Sequence, residues 1–120
     1  MAHQQKLGNW GEELAAEHLK KSGYRIIATN WRYGKEEIDI IAQMNDTLAI
    51  VEVKTRHSSE FGTPQEFVTK AKQRHLINAA EAFVQDNDLD VEVRFDIIAI
   101  TSDTNPPQIV HLDDAFYPTL

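Results

Sequence analysis

The pattern of hydrophobic and polar positions in the first half of the chain predicts one helix followed by three strands. Apolar side chains first recur at helical spacing and then in short runs rich in isoleucine and valine. Ser22-Gly23 is a stop signal for the helix, Tyr33-Gly34-Lys35 is a turn, and Asn45-Asp46 separates two of the runs, which predicts a hairpin. The predicted bounds are 9–21 for the helix and 24–31, 37–43 and 47–54 for the strands.

The second half of the chain predicts another helix and two more strands. Thr63-Pro64-Gln65-Glu66 offers a capping residue, a proline for the first helical position and a glutamate placed for a capping box, so we expect a helix after it. Its predicted apolar face runs from Val68 to Val84, and the helix should end near Asn87. The remaining predicted elements are a long apolar strand over 91–100 and a short final strand over 108–112.

The element order, written αβββαββ, predicts an α/β fold. A strand, a crossover helix and another strand usually give parallel neighbours, so 48–54 and 91–100 should lie parallel in one mixed sheet. We expect a central sheet flanked by helices. A length of 120 residues with 42% hydrophobic residues corresponds to a single domain over residues 1–120.

Two carboxylates interrupt the apolar strands of the predicted hairpin. Asp39 lies within a run of isoleucines, where an uncompensated charge is costly. Glu52 lies near the end of a strand face that is otherwise apolar. If Asn45-Asp46 are the central turn residues, Asp39 lies opposite Glu52, with Cβ atoms about 5 Å apart. A divalent cation would bridge the two, and oxygen ligands favour Mg²⁺ or Mn²⁺. Buried ion pairs with Lys or Arg are the alternative explanation.

Composition limits the kinds of site and partner. The absence of cysteine excludes disulfides, a thiolate zinc site and a thiol nucleophile. The net charge of -7 opposes nucleic-acid binding, but residues 1–74 hold eleven of the twelve Lys and Arg against ten acids, and residues 75–120 hold Arg94 against nine acids. Cations bound by acids of the first part would make that surface more positive. The polar start and the lack of a long apolar stretch predict a cytoplasmic protein without a membrane segment.

Several motifs resemble those of a nuclease superfamily. Glu37-Ile38-Asp39 followed by Val51-Glu52-Val53-Lys54-Thr55-Arg56 is similar to the D and E-x-K elements of restriction-endonuclease-like, PD-(D/E)xK, proteins, and more narrowly to the YraN family of small bacterial proteins. One departure is Glu36, which stands where the family usually has glycine. Further blocks that resemble the family pattern, and extend it over nearly the whole chain, are Gly11-Glu12-x-x-Ala15, Phe61-Gly62-x-Pro64, Lys72 and Arg94-Phe95-Asp96.

The resemblance implies a restriction-endonuclease-like core and a metal-dependent endonuclease that acts on DNA. Archaeal Holliday-junction resolvases share this arrangement, which extends the expected substrates to branched DNA. The implied catalytic residues are Glu12, rather than Glu13, together with Asp39, Glu52 and Lys54. The implied ligands of Mg²⁺ or Mn²⁺ are Asp39, Glu52, the carbonyl of Val53 and, through a water molecule, Glu12. Lys54 would orient the nucleophile or stabilise the transition state, and the products would end in 5′-phosphate and 3′-hydroxyl.

Basic residues outside the acidic motifs are candidates for phosphate contacts. They are Arg56, Lys70, Lys72 and Arg74. For the three on the second helix, a solvated outer face is the plainer interpretation. His57 is expected on a surface loop, and His75 is expected to be a core histidine on the apolar helix face.

Two other functions fit the same sequence. A nucleic-acid-binding module would keep the fold without cleaving, and a protein-interaction domain would use the acidic C-terminal part, with the carboxylates as a buried ion network. Metal binding separates the protein-interaction domain from the other two, and turnover separates the nuclease from the binding module. The expected partner is nucleic acid, with DNA favoured, and no membrane. Whether the chain forms a homodimer is left open.

Overall fold

The fold is taken from a computed structural model that describes residues 2–57 and 68–117, and the side chains of residues 9–57 and 68–117. The elements follow the predicted order, αβββαββ. The helices are α1 (Ala2–Lys21) and α2 (Lys70–Asp86). The strands are β1 (Arg25–Tyr33), β2 (Glu36–Met44), β3 (Thr47–Arg56), β4 (Glu92–Thr101) and β5 (Gln108–Phe116).

The strands form one five-stranded sheet in the order β1-β2-β3-β4-β5. β2 pairs antiparallel with both β1 and β3, β3 pairs parallel with β4, and β5 pairs antiparallel with β4. The connection from β3 to β4 contains α2, as a crossover between parallel strands requires. The predicted α/β class, element order and parallel pair are therefore confirmed, and the arrangement is consistent with a nuclease-like core.

Each face of the sheet packs against one helix. Alternation along β3 directs Leu48 and Ile50 to the side of α2, and Ala49 and Val51 to the side of α1. The buried residues that α2 contributes are Leu76, Ala79, Ala80 and Phe83. α1 contributes the fully buried Ala15 and Leu19. The strand that carries Glu52 therefore lies between two cores and contributes side chains to both.

The hairpin between β2 and β3 has the predicted register. Asn45-Asp46 form its two-residue turn, and Asn45 adopts a φ of 54°, a conformation that asparagine tolerates and that such hairpin turns require. The paired positions run from Met44 opposite Thr47 to Ile40 opposite Val51. Asp39 and Glu52 are the next residues in this register.

The start of each helix differs from its prediction. α1 begins at Ala2 rather than residue 9, because its first turns contain Ala, Gln and Lys, which favour helix without adding an apolar stripe. α2 begins at Lys70, where Thr69 caps it by accepting a hydrogen bond from the Lys72 N–H at 3.1 Å. Val68 therefore precedes the helix, and its predicted place on the helix face is wrong. The predicted start at Thr63-Pro64-Gln65-Glu66 lies outside the described residues.

The last strand is longer than predicted, since β5 reaches Phe116 instead of ending at Leu112. Its register shifts opposite the stretch between Phe95 and Ile97. Within this bulge Asp114 adopts a φ of 55°, and its N–H donates to the Asp96 carboxylate at 3.1 Å. This hydrogen bond provides the main chain of β5 with a partner at the bulge. The strand therefore continues through two consecutive aspartates, where the hydrophobic pattern predicts that it ends. Neither described helix has the length and hydropathy to cross a bilayer.

Candidate active site at the fork between two strands

The sheet opens into a fork between β2 and β3. The two strands pair only as far as Ile40 and Val51. Beyond that point β2 stays paired with β1 as far as Glu36, and β3 stays paired with β4 as far as Arg56. Asp39 and Glu52, which continue the hairpin register by one position, therefore stand at the apex of the fork.

Asp39 fills the apex with its carboxylate. Its Oδ2 accepts a hydrogen bond from the main-chain N–H of Val53 at 2.8 Å, in place of a main-chain partner. Burial, followed by the charge of Glu52, raises the pKa of Asp39 to about 7, while the Val53 N–H opposes the rise. Asp39 is thus an acid that loses its proton near neutral pH.

Glu52 is the more deeply buried acid, with 5% of its surface exposed. Burial raises its pKa against the charges of Lys72 and Lys54. The Lys54 ammonium lies 3.8 Å from Oε1 and the Lys72 ammonium lies 3.8 Å from Oε2. These are ion-pair distances, too long for hydrogen bonds, and Oε2 is buried without a hydrogen-bond partner. Buried polar atoms of native proteins are usually hydrogen-bonded to protein or water, so this oxygen has room for a further partner such as a bound ion.

Glu12 reaches the fork from α1. Gly11 permits this approach, because a Cβ at that position would overlap Oγ1 of Thr55 on β3. Glu12 is half-buried, and its Oε1 accepts a hydrogen bond from Nδ2 of Asn30 at 3.1 Å. The charge of Glu12 contributes to the raised pKa of both Asp39 and Glu52, so the three acids form one electrostatic group.

Asn30 and Glu37 belong to this group but were missed in the sequence. Nδ2 of Asn30 donates to Oε1 of Glu37 at 2.9 Å as well as to Glu12, so one amide joins two carboxylates. Asn30 has a φ of 50° and lies on β1 opposite Asp39, between two regular pairs. Hydrophobic periodicity predicts neither this positive φ nor the position of Asn30 opposite Asp39. Glu37 could have been found, because it begins the Glu37-Ile38-Asp39 motif that the sequence already singles out.

The predicted phosphate-binding residues have three different environments. Lys72 points to Glu52 rather than to a solvated outer face. Lys70 and Arg74 are exposed on α2, as the solvated-face interpretation expects. Arg56 is half-buried at the end of β3, on the strand that carries Glu52. The sequence could have separated Lys72 from Lys70 and Arg74, because helical spacing places it in line with the buried Leu76 and Ala79.

Two histidine predictions have different outcomes. His57 is exposed, as expected, and lies 3.5 Å from the Ser102 hydroxyl. The prediction of a core histidine at position 75 is wrong, because 55% of the His75 side chain is exposed and its Nδ1 lies 3.2 Å from the Glu36 carboxylate. The buried stripe of α2 begins one residue later, at Leu76. Glu36, the departure from the family pattern, thus has a partner on α2.

The residues at the fork fit a hard divalent cation. Asp39, Glu52 and the Val53 carbonyl supply only oxygen, the ligand type that Mg²⁺ and Mn²⁺ prefer. The unsatisfied Oε2 of Glu52 would gain a partner. Within residues 9–57 and 68–117, no three Asp, Glu or His side chains already stand close enough to share one ion, and Asn30 engages Glu12. The fit therefore rests on two carboxylates and a carbonyl.

Asp96 shows how a buried structural carboxylate differs. Arg94 donates two hydrogen bonds to it at 2.9 and 2.8 Å, His111 contacts it at 2.8 Å, and the Asp114 N–H donates at 3.1 Å. Burial alone would raise the pKa of Asp96, but these hydrogen bonds lower it. The Arg94-Phe95-Asp96 block thus stabilises the pairing of β4 with β5, whereas Glu52 has no comparable set of donors.

Comparison with known proteins identifies the family. Residues 11–100 match the model of the Uncharacterised protein family UPF0102. The chain is 52% identical over 117 residues to a UPF0102 protein of Flavobacterium psychrophilum, covering 98% of each chain. It is 48% identical over 117 residues to one of Christiangramia forsetii, with 98% of each chain covered. It is 41% identical over 120 residues to one of Phocaeicola vulgatus, covering 100% of this chain and 99% of that one. The chain therefore belongs to the UPF0102 family, the YraN family that its motifs resemble.

Proposed function

We propose that this protein is a cytoplasmic, divalent-metal-dependent endonuclease that hydrolyses phosphodiester bonds of DNA, including branched DNA. The observation that carries the proposal is the buried, unsatisfied oxygen of Glu52 beside Asp39 at the fork. A network that served stability alone would satisfy that oxygen, as Asp96 is satisfied. Acids with raised pKa values that converge on one place are typical of functional sites.

Each residue at the fork has a role in this proposal. Asp39, Glu52 and the carbonyl of Val53 would hold Mg²⁺ or Mn²⁺. When bound, the ion lowers the pKa of the attacking water and offsets charge that develops on the phosphate. Lys54, 3.8 Å from Glu52, adds a positive charge beside the same phosphate. Glu12 is a hydrogen-bond acceptor at the edge of the site that can orient a water molecule.

The charge distribution around α2 supports a polyanionic substrate. The first turns of the helix carry Lys70, Lys72 and Arg74, and its first acid is Glu81. The partial positive charge of a helix N-terminus adds to these cations. Since Lys72 lies at Glu52, the basic end of α2 is next to the fork. The overall charge of -7 therefore does not describe the surface that the substrate would meet.

A second candidate is a nucleic-acid-binding module that does not cleave. One observation favours it: Lys54 and Lys72 partly neutralise Glu52 without any metal ion. Such a protein would bind DNA through the same basic helix and would give no turnover.

Cleavage of labelled duplex, flap and four-way DNA in Mg²⁺ or Mn²⁺ tests the proposal. Wild type should cleave at least one substrate. Glu52→Gln should abolish cleavage while DNA affinity stays equal or rises, because a negative charge facing phosphate is removed. Lys54→Ala should also abolish cleavage, yet keep metal binding, because a protonated lysine has no lone pair for coordination.

The neighbouring glutamates provide a matched control. Glu12→Gln should reduce cleavage, whereas Glu13→Gln, an exposed residue on the same helix turn, should leave it unchanged. Undiminished cleavage by Glu52→Gln would assign the activity to a contaminant. No cleavage of any substrate by wild type would favour the binding module.

A further inference from the structure

A pocket of about 240 Å³ lies beside α2 and has no role in the site described above. Its lining consists of Lys70, Gln73, Arg74, Ile77 and Tyr117. The four α2 residues recur at helical spacing and so share one face of the helix. Tyr117 follows β5 and is 63% exposed, so its ring is open to solvent.

The cations of this pocket form no ion pair with an acid of the described residues. Lys70 and Arg74 are exposed, and none of the ion pairs formed by the described residues includes either of them. Gln73 uses its amide nitrogen to donate to the Val68 carbonyl at 3.2 Å, which leaves its oxygen as an acceptor. The pocket therefore combines an aromatic ring, an apolar surface at Ile77, an amide acceptor and two exposed positive charges.

We propose that this pocket binds one unpaired nucleotide of a DNA strand, with the base stacked on Tyr117 and a phosphate held by Lys70 and Arg74. The inference rests on the proposed function, since it specifies which DNA the fork would act on. Aromatic side chains beside a positively charged track are how proteins bind single strands, because every base has a stacking face. A base inside a DNA duplex is already stacked, so it cannot enter such a pocket without leaving the double helix.

The position of the pocket defines the substrate class. Lys72 is displaced by about 200° around the helix from Lys70 and from Arg74, since each residue advances by about 100°. The pocket and Glu52 therefore lie on different sides of α2, separated by about the 10 Å width of a helix. A strand that crosses the start of α2 would place its unpaired nucleotide on one side of the helix and its next phosphates on the side of the fork. The substrate would be DNA with a single-stranded segment next to the cleaved bond, as in a flap or branch point.

Fluorescence anisotropy with a labelled single strand and the matching duplex tests this inference, in EDTA so that nothing is cleaved. Tyr117→Ala should weaken single-strand binding by about 5- to 100-fold, the range expected for one stacked base, and change duplex binding less than about twofold. Tyr117→Phe keeps the ring and should bind like wild type. Replacing Lys70 and Arg74 together by Gln should weaken binding and flatten its salt dependence.

The outcomes separate this inference from the nuclease proposal. Wild-type affinity in Tyr117→Ala, or an equal loss for single strand and duplex, would overturn the pocket assignment. No binding of either DNA by wild type would overturn it together with the nuclease. Single-strand binding that depends on Tyr117, in a protein that cleaves no substrate, would support the pocket and contradict only the nuclease.

Discussion

Asp39 accepts a hydrogen bond from the N–H of Val53 at 2.8 Å, across the gap where their strands have stopped pairing. A side chain thus replaces the main-chain partner that an antiparallel ladder would supply at this position. The bond engages one carboxylate oxygen of Asp39 and leaves the other available to the proposed cation. The opening of the sheet and the proposed metal site therefore have the same origin.

Asp39→Asn should stabilise the metal-free protein at about pH 8, because it removes a charge whose ionisation burial and Glu52 disfavour. With a folded pKa of about 7 against an ordinary value of 3.8, the native state binds more protons than the unfolded state between these values. The unfolding free energy of wild type should therefore fall as pH rises through this window. Thermal melts should show a smaller fall for Asp39→Asn.

Asp96→Asn should have the opposite effect. Its lowered pKa means that the native state favours the ionised form, so its contribution is present at neutral pH and is lost as pH falls below about 4. Removing the charge leaves Arg94 without its anion, which should cost about 3 kcal/mol. Urea denaturation measures the loss, and Asp90→Asn, at an exposed aspartate, is the control that should be neutral. A stable Asp96→Asn variant would contradict the structural assignment.

Asn30→Asp should destabilise the metal-free protein, because a third carboxylate would face Glu12 and Glu37. Since a bound cation relieves that repulsion, Mn²⁺ should raise the melting temperature of this variant more than that of wild type. Asn30→Gly is the matched control: glycine adopts the φ of 50° without strain, so only the amide is lost. Equal Mn²⁺ responses in Asn30→Asp and wild type would place the ion elsewhere.

Gly11→Ala should lower stability, although alanine in a helix normally gains about 1 kcal/mol over glycine. The added Cβ would overlap Oγ1 of Thr55, and such overpacking costs about 1–3 kcal/mol. Adding Thr55→Ala removes the overlapping atom and should restore most of the melting temperature. An alanine variant as stable as wild type would show that α1 does not need this close approach to position Glu12.

The α/β class and the hairpin register could be predicted because local rules determine both. Short runs rich in isoleucine and valine define β2 and β3, and Asn45-Asp46 fix a turn length that leaves one register. Asp39 and Glu52 could be found for the same reason, as charges that break an apolar pattern. Their proximity to Glu12 could not, since it depends on how α1 packs across the sheet.

Other residues of the site depend on tertiary structure alone. The sequence does not distinguish Asn30 from other polar strand residues. Its positive φ and its two carboxylate partners are evident only in the structure. Helical spacing distinguishes Lys72 from Lys70 by placing it in line with the buried Leu76, but its contact with Glu52 depends on how α2 packs against the sheet. His75 lies just outside the buried stripe, where Glu36 provides a partner that hydrophobic periodicity does not reveal.

Titration of Mn²⁺ into the wild-type protein and Asp39→Asn by isothermal calorimetry tests the central claim, that the fork is a cation site. Wild type should bind Mn²⁺ with an affinity that rises with pH through about 7, because Asp39 must lose its proton before it can act as a ligand. Lys54→Ala should bind the ion as well as wild type does. Binding should be lost in Asp39→Asn, and equal binding by that variant would contradict the account.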